Sequence, residues 1–234
     1  MQGFTKHTNF QEGVVLYIDK PLEWSSFDVV HKMRNLIRKH FSLKWIKVGH
    51  AGTLDPLATG LMIICTGAKT KNIHYYLDHD KEYLATICLG KTTPSFDLET
   101  EVDHAYPTDH ITEDLIKKIL QKFIGIQDQI PPVFSAKWIS GKRAYELARK
   151  GEKVEMKPKE IRIDSIDMIT YKPPHLTLQI KCSKGTYIRA LAMDIGKSLE
   201  SGGHLVELRR TAIGDISVDQ AWSITKFEGN LKKL

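Results

Sequence analysis

Two stretches of alternating apolar residues, Ile161 to Tyr171 and Leu176 to Cys182, stand on either side of Lys172-Pro173-Pro174-His175. Strands joined by so short a proline-bearing connection can only fold back on one another, which predicts an antiparallel hairpin and a fold built around antiparallel pairing. Other segments agree. Gly13 to Asp19 reads as a buried strand ended by Lys20-Pro21, Leu61 to Cys65 as a central strand after Gly60, and Tyr83 to Gly90 and His204 to Ala212 as two more. Helices are interspersed. Ser25 or Ser26 caps the first, with Asp28 closing a capping box from Ser25, and Phe27, Val30, Met33, Ile37 and Phe41 form its apolar stripe. Thr112 caps a second through Leu115, Ile116, Ile119, Leu120 and Phe123, stopped by Gly125. After Pro131-Pro132 come a short strand, a turn at Ser140-Gly141 and a helix from Ala144 to Lys150, and Thr186 to Leu199 reads as the last helix. The expected fold class is α+β, with a mixed, largely antiparallel central sheet and flanking helices.

Apolar residues make up 41% of the 234 and charged residues 26%, a globular balance that excludes a disordered chain. No apolar run approaches the ~20 residues of a membrane helix, and the polar start, Met1 to Gly13, lacks a signal-peptide layout. The expectation is a cytosolic protein. Cys65, Cys88 and Cys182 are far apart in apolar, strand-like stretches, so they read as small buried hydrophobes rather than disulfide partners or metal ligands. The net charge of +6 is unevenly spread. Residues 29–54 hold Lys32, Arg34, Arg38, Lys39, Lys44 and Lys47 and no carboxylate. Residues 137–159 hold eight basic groups (Lys137, Lys142, Arg143, Arg149, Lys150, Lys153, Lys157 and Lys159) against Glu146, Glu152 and Glu155. Either block alone could be a solvated face; two such blocks suit a phosphate-rich partner.

The chemistry-bearing segment is Gly49-His50-Ala51-Gly52-Thr53-Leu54-Asp55-Pro56-Leu57-Ala58-Thr59-Gly60. Its glycines permit tight turns, and Pro56 biases Asp55 toward an extended backbone. Asp55 is the first carboxylate after 26 acid-free residues and lies between Leu54 and Leu57. A carboxylate held stiffly in an apolar, positive setting suits nucleophilic or general-base chemistry; an aspartate making a structural Asx-turn fits the same spacing. A second cluster runs from Cys182 to Arg189, with a turn at Ser183-Lys184-Gly185, Thr186 able to cap a helix, and Tyr187 and Arg189 in its first turns. There the choice is between a guanidinium that orients a carboxylate and a surface arginine beside a core tyrosine.

The segment around Asp55 resembles the active-site motif of TruB-type tRNA pseudouridine synthases. Further motifs follow in the family's order: Asp19-Lys20-Pro21, Lys81-Glu82-Tyr83, Leu89-Gly90-Lys91-Thr92-Thr93, Gln129 to Ala136, Cys182 to Arg189 and His204 to Arg210. The resemblance spans roughly Gly13 to Ala221. It implies the pseudouridine synthase fold and isomerisation of uridine to pseudouridine in the T loop of tRNA, at tRNA position 55. Asp55 is then the catalytic carboxylate and Arg189 its salt-bridge partner. Tyr83 stacks on the target base, Tyr187 and Leu208 line the pocket, His50 fills the vacated stack, and Lys20 supports the loop. No redox step or group donor enters, so no cofactor or metal is expected. The implied partner is tRNA, with no guide RNA and no membrane, and a monomer is the default expectation.

The resemblance has gaps. Many family members carry a C-terminal RNA-binding domain of the PUA type; this chain leaves room for only a short segment after Ala221-Trp222-Ser223-Ile224. The expectation is a single catalytic domain over 1–234, with a basic, thumb-like RNA-binding insertion at about 131–159. Pro94 and Thr100 replace the family's usual Asp and Gly, so Asp97 is given no more than a supporting role. Among rivals, the large-subunit rRNA family surrounds its aspartate with an arginine-led motif absent here. A glycoside hydrolase needs a matched second carboxylate, and none is evident. The reading from another class is a noncatalytic RNA-binding or tRNA-folding factor that uses the same surface.

Overall fold

The computed structural model describes residues 4–135, 138–139, 141–152 and 155–234. In chain order, β1 (Val15–Lys20) leads to α1 (Ser26–His40), β2 (Val48–His50), β3 (Ala58–Thr66), α2 (Ile73–Leu77) and β4 (Lys81–Leu89). A small hairpin, β5 (Lys91–Thr92) with β6 (His104–Ala105), precedes α3 (Glu113–Gln121) and β7 (Gly125–Gln129). Another, β8 (Trp138–Ile139) with β9 (Lys142–Arg143), precedes α4 (Ala144–Arg149). The long β10 (Lys159–Lys172) and β11 (His175–Cys182) lead to α5 (Ile188–Ser198), β12 (Gly203–Ile213), β13 (Ile216–Ser217), β14 (Trp222–Ser223) and α6 (Ile224–Leu231). The α+β class and the largely antiparallel pairing agree with the sequence. The chain divides into two compact units, Met1–Tyr83 with Leu208–Leu234, and Leu84–Glu207.

In the first unit β3 is the central strand, buried along most of its length. It pairs antiparallel with β1 and β2 and parallel with the end of β12, and β14 runs parallel beside β1. Val29, Met33 and Ile37 of α1 are buried with Leu16, Ile18 and the run from Leu61 to Cys65. Gly60 lies opposite Arg210 in the parallel register at φ +105°, and a Cβ there would come within 2.3 Å of the Arg210 carbonyl oxygen. Only glycine fits that contact.

In the second unit β11 lies between β4 and β10, and β7 flanks β10 on its other side. The hairpin read from the sequence is present: β10 and β11 pair antiparallel, Ile166 opposite Ile180 and Lys172 opposite His175. Alternate residues are buried where the strands face the core, Ile161 and Ile163, then Ile166 beyond a register shift between Ile163 and Ser165, and Leu176, Leu178 and Ile180. Apolar residues of α3 (Ile116, Ile119, Leu120) and α5 (Leu191, Ile195) are buried in the same unit.

Several local expectations are corrected. Phe27 is 66% exposed, and the buried stripe of α1 runs through Ser26, Val29, Val30, Met33 and Ile37. The helix capped by Thr112 ends at Gln121, and Gly125 opens β7 instead of stopping a helix. The last helix starts at Ile188 with Tyr187 as N-cap; the Thr186 hydroxyl is engaged with the Ser183 carbonyl oxygen at 3.0 Å and does not cap. The turn at Ser140-Gly141 falls partly outside the described residues. Cys65, Cys88 and Cys182 are buried, as small core residues. No helix among the described residues is long and apolar enough to cross a membrane.

Candidate active site

In the first unit the chain leaves β2 at His50 and rejoins the sheet at Ala58, and each residue between Ala51 and Pro56 is tied by its backbone. The Ala51 amide donates to the Ile63 carbonyl (2.9 Å). Arg210, only 1% exposed, donates to the carbonyls of Gly52 (3.2 Å), Thr53 (3.4 Å) and, in β3, Leu61 (2.7 Å). Ser26, the first residue of α1, clamps Leu54 from both sides: its hydroxyl accepts from the Leu54 amide (2.8 Å) and donates to the Leu54 carbonyl (2.9 Å). The Asp55 carbonyl accepts from the Ala58 amide (3.0 Å), closing a tight turn, and the Pro56 carbonyl accepts from the Glu23 amide (2.9 Å) and the Lys20 ammonium (3.3 Å). Asp55 is half-buried on this loop. A side chain on a backbone so fully bonded loses little entropy on adopting a reactive geometry.

Lys20 is fully buried and also donates to the carbonyls of Pro21 (3.0 Å) and Trp24. Burial lowers its pKa to about 8, against the pull of the Asp55 carboxylate, while the nearby Arg210 charge lowers it further. The folded protein therefore releases this proton near pH 8, whereas the unfolded chain keeps it to about 10.5. The unfolded state binds more protons across that window, so this group makes stability climb as pH rises through it. Urea titrations at about pH 7.5 and 9.5 should show the stability gap between wild type and Lys20→Met shifting in favour of wild type at the higher pH, by up to about 1.4 kcal/mol per pH unit. A gap that does not change with pH would contradict a buried ammonium.

His50 ends β2 opposite Ile64, and its Nδ1 is buried with no hydrogen-bond partner among the described residues. Burial depresses its pKa, a backbone contact with Gly52 opposes the shift, and the Arg210 charge adds to it. The shift favours the neutral imidazole. Tyr83 is buried in β4, and Leu208 is half-buried in β12 opposite Ala58, three residues from Asp55. Arg209 forks onto Asp19 at 3.0 and 2.8 Å, tying β12 to β1 directly before Lys20.

Tyr187 and Arg189 belong to the second unit. Gln129 of β7 accepts from the Tyr187 amide (2.8 Å) and donates to the Tyr187 carbonyl (3.1 Å), which fixes the entrance of α5. Arg189 is 5% exposed; its Nε lies 3.4 Å from the buried Asp97 carboxylate, and its terminal nitrogens donate to the carbonyls of Ser95 (3.2 Å) and Phe134 (3.1 Å). Asp97 thus helps hold the Arg189 guanidinium in place.

Arg210 and Ser26 escape a reading of the sequence. A charged residue at a core-facing position of an otherwise apolar strand is the available signal for Arg210; Ser26 looks like an alternative cap. The basic blocks are only partly available to a partner. Lys32 pairs with Glu228 (3.2 Å) and Arg34 donates to the Val48 carbonyl (3.4 Å), while Arg38, Lys39, Lys44 and Lys47 are exposed. In the second block Lys142, Lys150, Lys157 and Lys159 are exposed, whereas Lys137 and Lys153, and Ala136 of the motif before them, lie outside the described residues.

Comparison with known proteins bears on what this arrangement does. Residues 38–188 match the family model of the TruB family pseudouridylate synthase N-terminal domain, and residues 189–233 that of the tRNA pseudouridylate synthase B C-terminal domain. The chain is 58% identical over 219 residues to the tRNA pseudouridine synthase B of Phocaeicola vulgatus, covering 94% of this chain and 93% of that protein. It is 53% identical over 225 residues to that of Parabacteroides distasonis, covering 96% of each. Among solved structures it is similar to a chain in the crystal structure of a Cbf5-Nop10-Gar1 complex, with a TM-score of 0.69 and 25% identity, over 94% of this chain and 54% of that one. The present chain therefore spans about half the length of that solved neighbour.

Proposed function

This chain belongs to the TruB family of pseudouridylate synthases, and on that premise we propose that it converts the uridine at position 55, in the T loop of tRNA, to pseudouridine. The glycosidic carbon–nitrogen bond breaks, the uracil turns, and a carbon–carbon bond forms, so atoms and electrons balance within the nucleotide. Asp55 is the catalytic carboxylate in this proposal, and the observation that carries it is the loop in which every residue from Ala51 to Pro56 is bonded through its backbone. Arg189 contributes its guanidinium to the same reaction, held by Asp97. Tyr83 stacks on the uracil, Tyr187 and Leu208 line its pocket, His50 fills the stack the base has left, and Lys20 supports the loop. Extruding a base costs a few kcal/mol, which an aromatic face and a plug offset. The whole chain acts as one catalytic domain on tRNA, in the cytoplasm, as a monomer and without a guide RNA.

Incubation with a uridine-labelled tRNA transcript followed by nucleoside analysis tests the reading: one pseudouridine per tRNA supports it, and none would point to a noncatalytic RNA-binding role. The basic region at about 131–159 is the proposed grip on the RNA. Replacing Lys142, Lys150 and Lys157 with Gln should weaken tRNA binding and flatten its salt dependence by about 2 in log–log slope, since each phosphate that a lysine neutralises adds roughly 0.7–0.9 to that slope. Unchanged affinity and slope would remove the region from the interface.

A further inference from the structure

Three segments of the first unit meet at a cavity of about 240 Å³ lined by Gln11, Trp45, Ile46, Lys47, Gly67, Ala68, Thr70 and Lys71. Its framework is tied by backbone and side-chain hydrogen bonds. The Gly67 amide donates to the Lys47 carbonyl (2.8 Å), and the Ala68 amide to the Gln11 carbonyl (3.1 Å). The Gln11 side chain donates to the Trp45 carbonyl (3.2 Å), and the Thr70 hydroxyl to the Gly67 carbonyl (2.8 Å). Gly67 admits no side chain, because a Cβ would lie 2.0 Å from the Gln11 carbonyl oxygen. On this rigid base the Trp45 indole is 66% exposed. Lys47 and Lys71 are the charged residues of the lining, no carboxylate joins them, and Lys44 is exposed beside Trp45 in the chain. Among the described residues none of these three lysines is paired with a carboxylate.

A lone exposed tryptophan needs no explanation. An exposed indole whose backbone is tied into a bonded framework, flanked by cations without a carboxylate partner among the described residues, has the features of a stacking platform for a nucleic-acid strand. The cavity is smaller than the roughly 300 Å³ at which pockets for small molecules begin, so an open shelf for one planar ring fits it better than an enclosed ligand site. We propose that this groove is a further RNA contact, made by residues other than those of the Asp55 loop and the 131–159 region, in which an unstacked base of the bound tRNA lies on Trp45 and its flanking phosphates meet Lys47 and Lys71. The proposal rests on tRNA being the substrate.

Fluorescence anisotropy with a labelled tRNA transcript over a salt series tests it, with pseudouridine formation by the wild type as the control for the substrate reading. Trp45→Ala should weaken binding about tenfold while Trp45→Phe, which keeps a ring, binds near the wild-type level. The Lys47→Gln/Lys71→Gln double variant should lower the salt slope by about 1.5. Wild-type affinity and slope in both Trp45→Ala and the double variant would overturn the groove while leaving the function intact, provided the wild type makes pseudouridine. Failure of the wild type to do so would instead defeat the substrate reading and this inference with it. Sedimentation of the same samples covers the remaining occupant: a dimer that Trp45→Ala dissociates would assign the groove to a second copy of this chain and overturn the RNA contact.

Discussion

Asp55→Asn is expected to reduce pseudouridine formation by on the order of 10⁴-fold or more while leaving tRNA affinity and the folded structure unchanged. The substitution is nearly isosteric, and the loop is held by bonds that do not involve the side chain: Ser26 on Leu54, Arg210 on Gly52 and Thr53, Lys20 and the Glu23 amide on Pro56. What disappears is the charge and the nucleophilic or basic oxygen. Single-turnover assays with excess enzyme separate chemistry from binding. Residual activity within about tenfold of wild type would assign the chemistry to another group.

The second large effect is structural in origin. Arg210→Met should cost about 3 kcal/mol of stability and lower activity together, because the buried guanidinium serves three carbonyls that no methionine can satisfy. Two of those carbonyls, Gly52 and Thr53, lead directly into Leu54 and Asp55, so loosening them misplaces the carboxylate. Misplacement by about 1 Å is enough for a loss of roughly 100-fold. Denaturant titration and steady-state kinetics on the same preparation check both halves. A variant as stable and as active as wild type would show that the loop holds itself without Arg210. Arg210→Lys should recover only part of the loss, since one ammonium cannot span β3 and the loop as the fork does.

The elements set by local chemistry are legible in the residues. Ser25 and Asp28 form both halves of a capping box, and the alternation across Lys172-Pro173-Pro174-His175 becomes β10 and β11 in the expected register direction. What misleads is tertiary demand. On α1 a serine is buried and a phenylalanine is exposed, the reverse of hydropathy, because Ser26 is needed as a clamp on Leu54. The start of α5 lies two residues beyond its expected position because its entrance is fixed by Gln129, 58 positions away, and not by a local cap. Gly60 reads as the end of a loop, yet it lies inside β3, where its missing side chain lets Arg210 approach. Asp97 can be given only a supporting role from sequence, since its pairing with Arg189 joins residues distant in the chain. Asp55 itself stands out by its motif; the reason it is held so firmly, the buried cations Lys20 and Arg210 beneath its loop, is visible only in the fold.

A crystal structure of the Asp55→Asn variant bound to a T-arm stem–loop is the most direct measurement. The uridine at tRNA position 55 should be out of its helical stack, with its sugar–base bond beside the substituted side chain and the Tyr83 ring against the uracil. A uridine still stacked within the T loop, or a different nucleotide beside the substituted residue, would contradict the assignment.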